Sequence, residues 1–242
     1  MASGQCPAKS IRPLLLGHRG ARAEKAVPEN TLPSFDLALA QGCDGFEFDV
    51  RLSADGQAVI CHDASVHGIE IVQSTAERLA LPLLREVLTR YHSSAFLDIE
   101  LKVPGLEKIT ADLLRDHTPS RGYVVSSFLP EVLRTTHEID ATIPLGLICE
   151  TRAQFNLWPK LPVEYVIPHY KLVRQSVVVK IKAAGKKTLV WTVNAAGDMK
   201  RFSGWGVDGI ISDHPKRLVR ASGGKEKDRS HGFARIFTDT SL

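Results

Sequence analysis

Two acidic residues two positions apart, Glu47 and Asp49, stand upstream of an Asp55-Gly56 turn signal that leads back to His62-Asp63. Asp-Gly between two apolar-rich runs marks a β-hairpin. With those two residues as the turn, Ala54 pairs with Gln57, and the register carries back until Asp49 lies opposite His62, both side chains on one face. Strand alternation puts Glu47 on that face and turns Phe48 and Val50 to the other. Two carboxylates and an imidazole thus converge. Carboxylates offer hard oxygen donors for a cation, and an imidazole takes and gives protons near neutrality.

A second charged strand follows in Asp98-Ile99-Glu100-Leu101-Lys102, where the charges at i, i+2 and i+4 share one face. Either strand alone reads as well as an internal ion-pair network or a solvated face. Together they point to a site, because charges inside a fold need partners and the inner layers of a barrel are ordinarily branched apolar residues. The third element is Gly17-His18-Arg19-Gly20, followed by Pro28-Glu29-Asn30-Thr31. Its glycines let backbone approach a ligand closely.

The elements that must position these residues alternate along the chain. Short apolar or β-branched runs at 14–17, 45–52, 58–61, 95–101, 123–126, 145–149, 165–167, 188–193 and 209–212 read as strands. Only residues 53–57 separate the second run from the third, too few for a parallel crossover, so those two form an antiparallel hairpin. Eight strands remain, mostly spaced by helix-length segments. A first helix is capped by Asn30 or Thr31, carries Leu32, Phe35 and Leu39 on one stripe and stops at Gly42; weaker ones cover 131–139, 174–184 and 197–205. The pattern predicts an α/β fold, a TIM (β/α)8 barrel with an antiparallel hairpin after the second strand and a short cap insertion. A doubly wound open sheet is the alternative. Residues 1–12 read as an N-terminal extension, 13–220 as the barrel domain and 221–242 as a mobile C-terminal tail.

Composition narrows the function classes. The chain has 242 residues, 43% hydrophobic and 24% charged, with a formal net charge of +4. No apolar run approaches the ~18 residues of a membrane span. The amino end lacks the apolar core of a secretory signal. The four cysteines, Cys6, Cys43, Cys61 and Cys149, show no CxxC spacing and read as free thiols, which together with the missing signal predicts a cytoplasmic protein. The basic residues are scattered and not interleaved with aromatics, so a nucleic-acid partner is not expected.

The ordered set His18-Arg19-Gly20, Pro28-Glu29-Asn30-Thr31, Glu47-x-Asp49, His62-Asp63, Glu100-x-Lys102, Trp191-Thr192-Val193-Asn194 and Asp208-Gly209-Ile210-Ile211-x-Asp213-x-Pro215 resembles the glycerophosphodiester phosphodiesterase family. The similarity runs from about Leu14 to about Arg217. It implies a TIM barrel that hydrolyses glycerophosphodiesters to sn-glycerol 3-phosphate and an alcohol with a divalent metal. The matching positions imply Glu47, Asp49 and Glu100 as metal ligands, His18 and His62 as the acid–base pair, and Arg19 and Lys102 as phosphate holders. Three carboxylates without a thiolate suit Mg²⁺ or Ca²⁺ rather than zinc. The nucleophile is water or the glycerol's own adjacent hydroxyl, and the resemblance favours the hydroxyl.

The same resemblance makes Trp191 an apolar wall for glycerol and Phe128 a pocket lining, against core and loop-anchor readings. His169, at the end of the sixth barrel strand, reads as a structural histidine. Asn194 and Asp213 read as turn or capping residues. Cys61 points away from His62 by alternation, which disfavours a Cys-His nucleophile. After His62-Asp63 the chain departs from the family: 64–88 is short and altered, which leaves the alcohol group open. A related barrel acting on lysophospholipids or phosphoinositides is the alternative enzyme, and a non-catalytic glycerol-phosphate binder or structural partner the alternative class.

Overall fold

The computed structural model of the protein describes residues 12–223. The extension up to residue 11, with Cys6, and nearly all of the segment read as a mobile tail lie outside the described residues. In chain order the elements are β1 (Leu14–His18), α1 (Leu32–Ala40), β2 (Gly45–Leu52), β3 (Ala58–Ile60), β4 (Ser65–Val66), β5 (Ile69–Glu70), α2 (Ala76–Leu79), α3 (Leu84–Tyr91), β6 (Phe96–Leu101), α4 (Glu107–Asp116), β7 (Tyr123–Ser127), α5 (Pro130–Ile139), β8 (Leu145–Cys149), α6 (Arg152–Phe155), β9 (Tyr165–Pro168), α7 (Gln175–Ala183), β10 (Lys187–Val190), α8 (Ala196–Gly204), β11 (Gly209–Ser212) and α9 (Pro215–Ala221). The strand order is β1-β11-β10-β9-β8-β7-β6-β2, and β1 also pairs with β2. Eight parallel strands therefore close on themselves, and the open-sheet alternative falls. No helix among the described residues is long and apolar enough to cross a membrane.

Alternation divides β2 and β6 as read from the sequence. Phe46, Phe48 and Val50 on β2, with Leu97, Ile99 and Leu101 on β6, point outward into a core shared with α1 and α3. There the Phe35 and Phe46 rings stack at 4.2 Å and Tyr91 meets Phe46 edge-on at 5.0 Å. Each such ring stabilises the fold by roughly 1.5–3 kcal/mol through burial. The opposite faces put Glu47, Asp49, Asp98 and Glu100 inside the barrel, nearly all of their surface buried. Below them Leu16, Val124, Ile148, Ile167, Leu189 and Ile211 fill the interior.

The hairpin register differs from the sequence reading. Val50 pairs with Ile60, Arg51 with Val59 and Leu52 with Ala58, so Asp49 faces Cys61, whose N–H donates to the Asp49 carbonyl at 3.0 Å. The cause is Ser53. Its N–H donates to the Gln57 carbonyl at 3.0 Å, its hydroxyl accepts from Gln57 N–H and donates to Asp55, and Gly56 takes a left-handed φ of 74°. Residues 54–56 thus make a three-residue loop in place of a two-residue turn, which moves every pair by one. The cap is small: the β4–β5 hairpin, a 3-10 turn at Ile71–Gln73 and α2.

β2 and β6 approach most closely at Gly45, where a Cβ would lie 1.8 Å from the Phe96 carbonyl oxygen. Backbone cannot yield there as a flexible side chain would. Gly45→Ala is expected to lower stability by more than about 3 kcal/mol in urea denaturation. A loss below about 1 kcal/mol would show that the two strands separate freely at that point.

Candidate active site

The end of β1 delivers His18, and the chain then turns sharply through Arg19, at a left-handed φ of 51°, and Gly20. α1 ties that turn down. Ser34, in its first turn, accepts from the Ala21 N–H at 2.8 Å and donates to the Arg19 carbonyl at 3.1 Å, while Thr31 caps the helix by accepting from the Ser34 N–H. The turn aims the Arg19 N–H at Glu47 Oε2, 3.0 Å away.

His18 is held from two sides. Its Nδ1 lies 2.6 Å from Asp213 Oδ1, and its Nε2 faces Glu47 Oε2 at 3.7 Å. Burial lowers the His18 pKa and outweighs the opposing hydrogen bond to Asp213. The neutral ring then carries its proton on Nδ1, toward Asp213, and leaves Nε2 as an acceptor, an assignment that follows from the hydrogen-bond partner. Burial works against the charge on Asp213 as well, but His18, Asn194 and Arg22 more than offset it, and the carboxyl stays far below its usual range. Asn194 grips the same carboxylate, its Nδ2 donating to Asp213 Oδ2 at 2.6 Å and its Oδ1 accepting from the Asp213 N–H.

The acidic cluster arises from strand register. β2 and β6 pair in parallel with Glu47 beside Asp98 and Asp49 beside Glu100. Ligand atoms of Glu47, Asp49 and Glu100 all lie within 4.8 Å of one another. Burial pushes Asp49 up, but Lys102, Arg19 and a 2.8 Å hydrogen bond from Asn30 bring its pKa below the ordinary value. Glu47 is forced well above the usual range by burial and by Asp49, Glu100 and Asp98. Glu100 is raised to about 7 by burial and Asp49, against the pull of Lys102. Lys102 Nζ lies 2.7 Å from Glu100 Oε1 and 3.1 Å from Asp49 Oδ1, and Arg19 Nε lies 3.1 Å from Asp49 Oδ2.

A cavity of ≈ 310 Å³ opens over this cluster. Its polar lining is His18, Arg19, Glu47, His62, Asp98, Glu100 and Lys102, and its apolar lining is Phe128, Ile148, Ile167, Trp191 and Ile211, with Glu150 after β8 the one further charged group. His62 reaches it although the ladder does not place it there. β3 ends at Ile60, Arg51 Nε donates to the His62 carbonyl at 2.8 Å, and the ring pairs with Asp63 through Nδ1 at 2.7 Å. The His62 side chain is 36% exposed against 9% for His18. Trp191 follows directly after β10, donates from its indole N–H to the Ile167 carbonyl at 2.9 Å and meets Phe128 edge-on at 5.6 Å. His169 also meets Trp191 edge-on, at 5.4 Å.

The structure thus gathers His18, Arg19, Glu47, His62, Glu100, Lys102, Phe128 and Trp191 at one pocket, with Asp49 buried against it. The sequence reads Asp213 and Asn194 as turn residues and Asn30 as a candidate cap, whereas Thr31 caps α1 and Asn30 donates to Asp49; Asp98 is read only as part of a charged face. The signal for Asp213 and Asn194 was their place just after the last two barrel strands, on the rim where barrels of this kind keep their chemistry.

Fold and site together define a (β/α)8 barrel with a carboxylate–imidazole centre at the carboxyl ends of its strands. The sequence pattern of the Glycerophosphoryl diester phosphodiesterase family matches residues 18–116 and 98–217. The chain belongs to that family. It is 30% identical over 240 residues to a glycerophosphodiester phosphodiesterase of Caldanaerobacter subterraneus, covering 86% of this chain and 97% of that one. Among solved structures, an Oleispira antarctica phosphodiesterase in complex with the product sn-glycerol-3-phosphate is 27% identical with a TM-score of 0.78, over 88% of this chain and 98% of that one. A glycerophosphodiester phosphodiesterase from Parabacteroides distasonis, 21% identical, shares the fold at a TM-score of 0.78, over 88% of this chain and 97% of that one.

The Asp213 carboxylate favours the protonated His18 ring, so its removal lowers the His18 pKa further. In metal-free Asp213→Asn the imidazole titration followed by NMR is expected to move down by about one unit or more. An unmoved titration would mean that the pair does not form in solution.

Proposed function

We propose that the protein hydrolyses glycerophosphodiesters to sn-glycerol 3-phosphate and an alcohol. The observation that carries this reading is the convergence of two imidazoles, three carboxylates and two cationic side chains on one small cavity with an apolar opposite wall. The relatives bear the corresponding name, and the Oleispira structure holds the corresponding product.

Glu47, Asp49 and Glu100 fit a divalent cation, Mg²⁺ or Ca²⁺. The donors are all oxygen, and Glu47 Oε1 is buried with no hydrogen-bond partner among the described residues. Arg19 and Lys102 alone leave this crowd of carboxyls short of positive charge. When bound, the cation supplies Lewis acidity at a phosphoryl oxygen.

Arg19 and Lys102 hold the phosphate and offset the charge that grows on it. His18, neutral and fixed by Asp213 with Nε2 toward the pocket, suits the general base, which takes the proton of the glycerol hydroxyl as it attacks phosphorus; loss of the alcohol leaves a cyclic phosphate, which water then opens to sn-glycerol 3-phosphate. His62, nearer solvent, suits the acid that protonates the departing alcohol at the mouth. Trp191 and Phe128 supply the apolar wall for the glycerol carbons.

His18→Ala and His62→Ala are each expected to lower kcat by about 10²–10⁴-fold with an unchanged circular dichroism spectrum. Near-normal turnover in either would remove it from the mechanism. Hydrolysis of glycerophosphocholine should stop with chelator and return with Mg²⁺ or Ca²⁺, whereas preference for a lysophospholipid in the same assay would point to the alternative substrate class. Glu100, whose pKa is raised to about 7, binds its proton below that pH and must release it to hold a cation. Cation affinity measured by calorimetry should therefore rise with pH between about 5 and 7, by at least roughly tenfold per unit for the Glu100 proton, and any proton on Glu47, whose carboxyl is also raised, adds to the rise. A pH-independent affinity between about 5 and 7 would contradict this ligand set.

A further inference from the structure

Asp98 is the one carboxyl of the inward array to which the mechanism gives no work. It lies on β6 two residues before Glu100, beside Glu47 on one neighbouring strand and Val124 on the other. It is 1% exposed yet lines the pocket, at its floor two residues below Glu100 on the inward face of β6. Its Oδ1 accepts a 2.6 Å hydrogen bond from the Ser126 hydroxyl. Its Oδ2 finds no hydrogen-bond partner among the described residues. The ion pairs of Arg19 and Lys102 go to Glu29, Asp49 and Glu100, and Asp98 is outside the trio whose ligand atoms converge.

For packing alone this position would do better with a branched apolar residue like its neighbours, since a buried acceptor left without a partner is costly. The oxygen that lacks a partner belongs to a residue on the pocket floor. Resting on the function proposed above, we propose that Asp98 Oδ2 hydrogen-bonds an O–H group seated on that floor. The group is either the terminal hydroxyl of the glycerol unit or a water carried by the cation. In the first case Asp98 is a binding residue that selects for a polyol end, because a site built to pair a hydroxyl rejects ligands that lack one.

The two sources separate chemically. A glycerol hydroxyl can donate to a carboxylate or accept from an amide, whereas a cation-bound water only donates. Calorimetric titrations of wild type, Asp98→Val and Asp98→Asn would use Ca²⁺ alone, then sn-glycerol 3-phosphate and inorganic phosphate with Ca²⁺ saturating. If the partner is the glycerol hydroxyl, D98V weakens sn-glycerol 3-phosphate by about 5- to 30-fold, D98N by less, and both leave Ca²⁺ and inorganic phosphate within about twofold. If it is a cation-bound water, both variants weaken Ca²⁺ itself by about 10- to 100-fold. Affinities within about twofold of wild type in every titration of D98V would overturn the proposal, and a lowered melting temperature beside them would make Asp98 structural. Should D98V fail to fold, the smaller Asp98→Ala, which likewise leaves no hydrogen-bonding group, decides: unchanged affinities for all three probes would overturn the proposal. A wild type that binds Ca²⁺ but not sn-glycerol 3-phosphate would count against the proposed function, and the Ca²⁺ titrations would still test Asp98.

Discussion

The pairing of β2 with β6 imposes the constraint to which the rest of the site answers. Parallel neighbours lie about 4.8 Å apart, so a register that sets Glu47 beside Asp98 and Asp49 beside Glu100 crowds four carboxyls into one patch of barrel interior. Two cationic side chains reach that patch, and Asp49 is the one carboxyl of the four that pairs with both, Lys102 being shared with Glu100. Asp49 accordingly keeps its charge while its three neighbours are pushed toward their protonated forms. Further positive charge would let those neighbours ionise, and the geometry of the array is fixed beforehand by backbone hydrogen bonds between strands.

The surrounding chain bends to serve that patch. Arg19 and Asn30 both adopt left-handed backbone, which is uncommon outside glycine, and both place a hydrogen-bonding group on the carboxylates: Arg19 through its N–H to Glu47, Asn30 through its side chain to Asp49. Glu29, between Arg19 and Arg22, holds both guanidiniums near the rim. The motif Pro28-Glu29-Asn30-Thr31 therefore has three separate jobs within four residues: pairing a cation, orienting a carboxylate and capping α1.

Much of this was legible in the sequence because period-two alternation is a local rule. Glu47, Asp49, Glu100 and Lys102 could be assigned to one face from their neighbours alone, and the closed eight-strand count followed from spacing. The hairpin register was not legible, since Asp55-Gly56 serves equally in a two-residue and a three-residue loop and the Ser53 hydroxyl decides between them. His62 reached the pocket all the same, through the chain that leaves the ladder after Ile60. Asp213 was hidden for another reason. Its partner His18 is 195 positions away, and only closure of β1 against β11 brings the two together. No local pattern distinguishes an aspartate that orients a histidine across a barrel seam from one that ends a strand.

The two halves of the barrel rim differ in kind, and the difference has a physical use. The ends of β11, β1, β2 and β6 carry most of the ionic groups, whereas β7, β8, β9 and β10 bring Phe128, Ile148, Ile167 and Trp191, with Glu150 after β8 the exception. Trp191 is stiff, held by its indole hydrogen bond and by the Phe128 and His169 rings. An apolar wall across a ≈ 310 Å³ cavity keeps water from screening the charges opposite, so each ionic contact to a bound anion is stronger than it would be at an open surface. A bare inorganic anion satisfies one wall and leaves the other facing solvent. A ligand that joins a phosphodiester to a short carbon chain has a group for each wall.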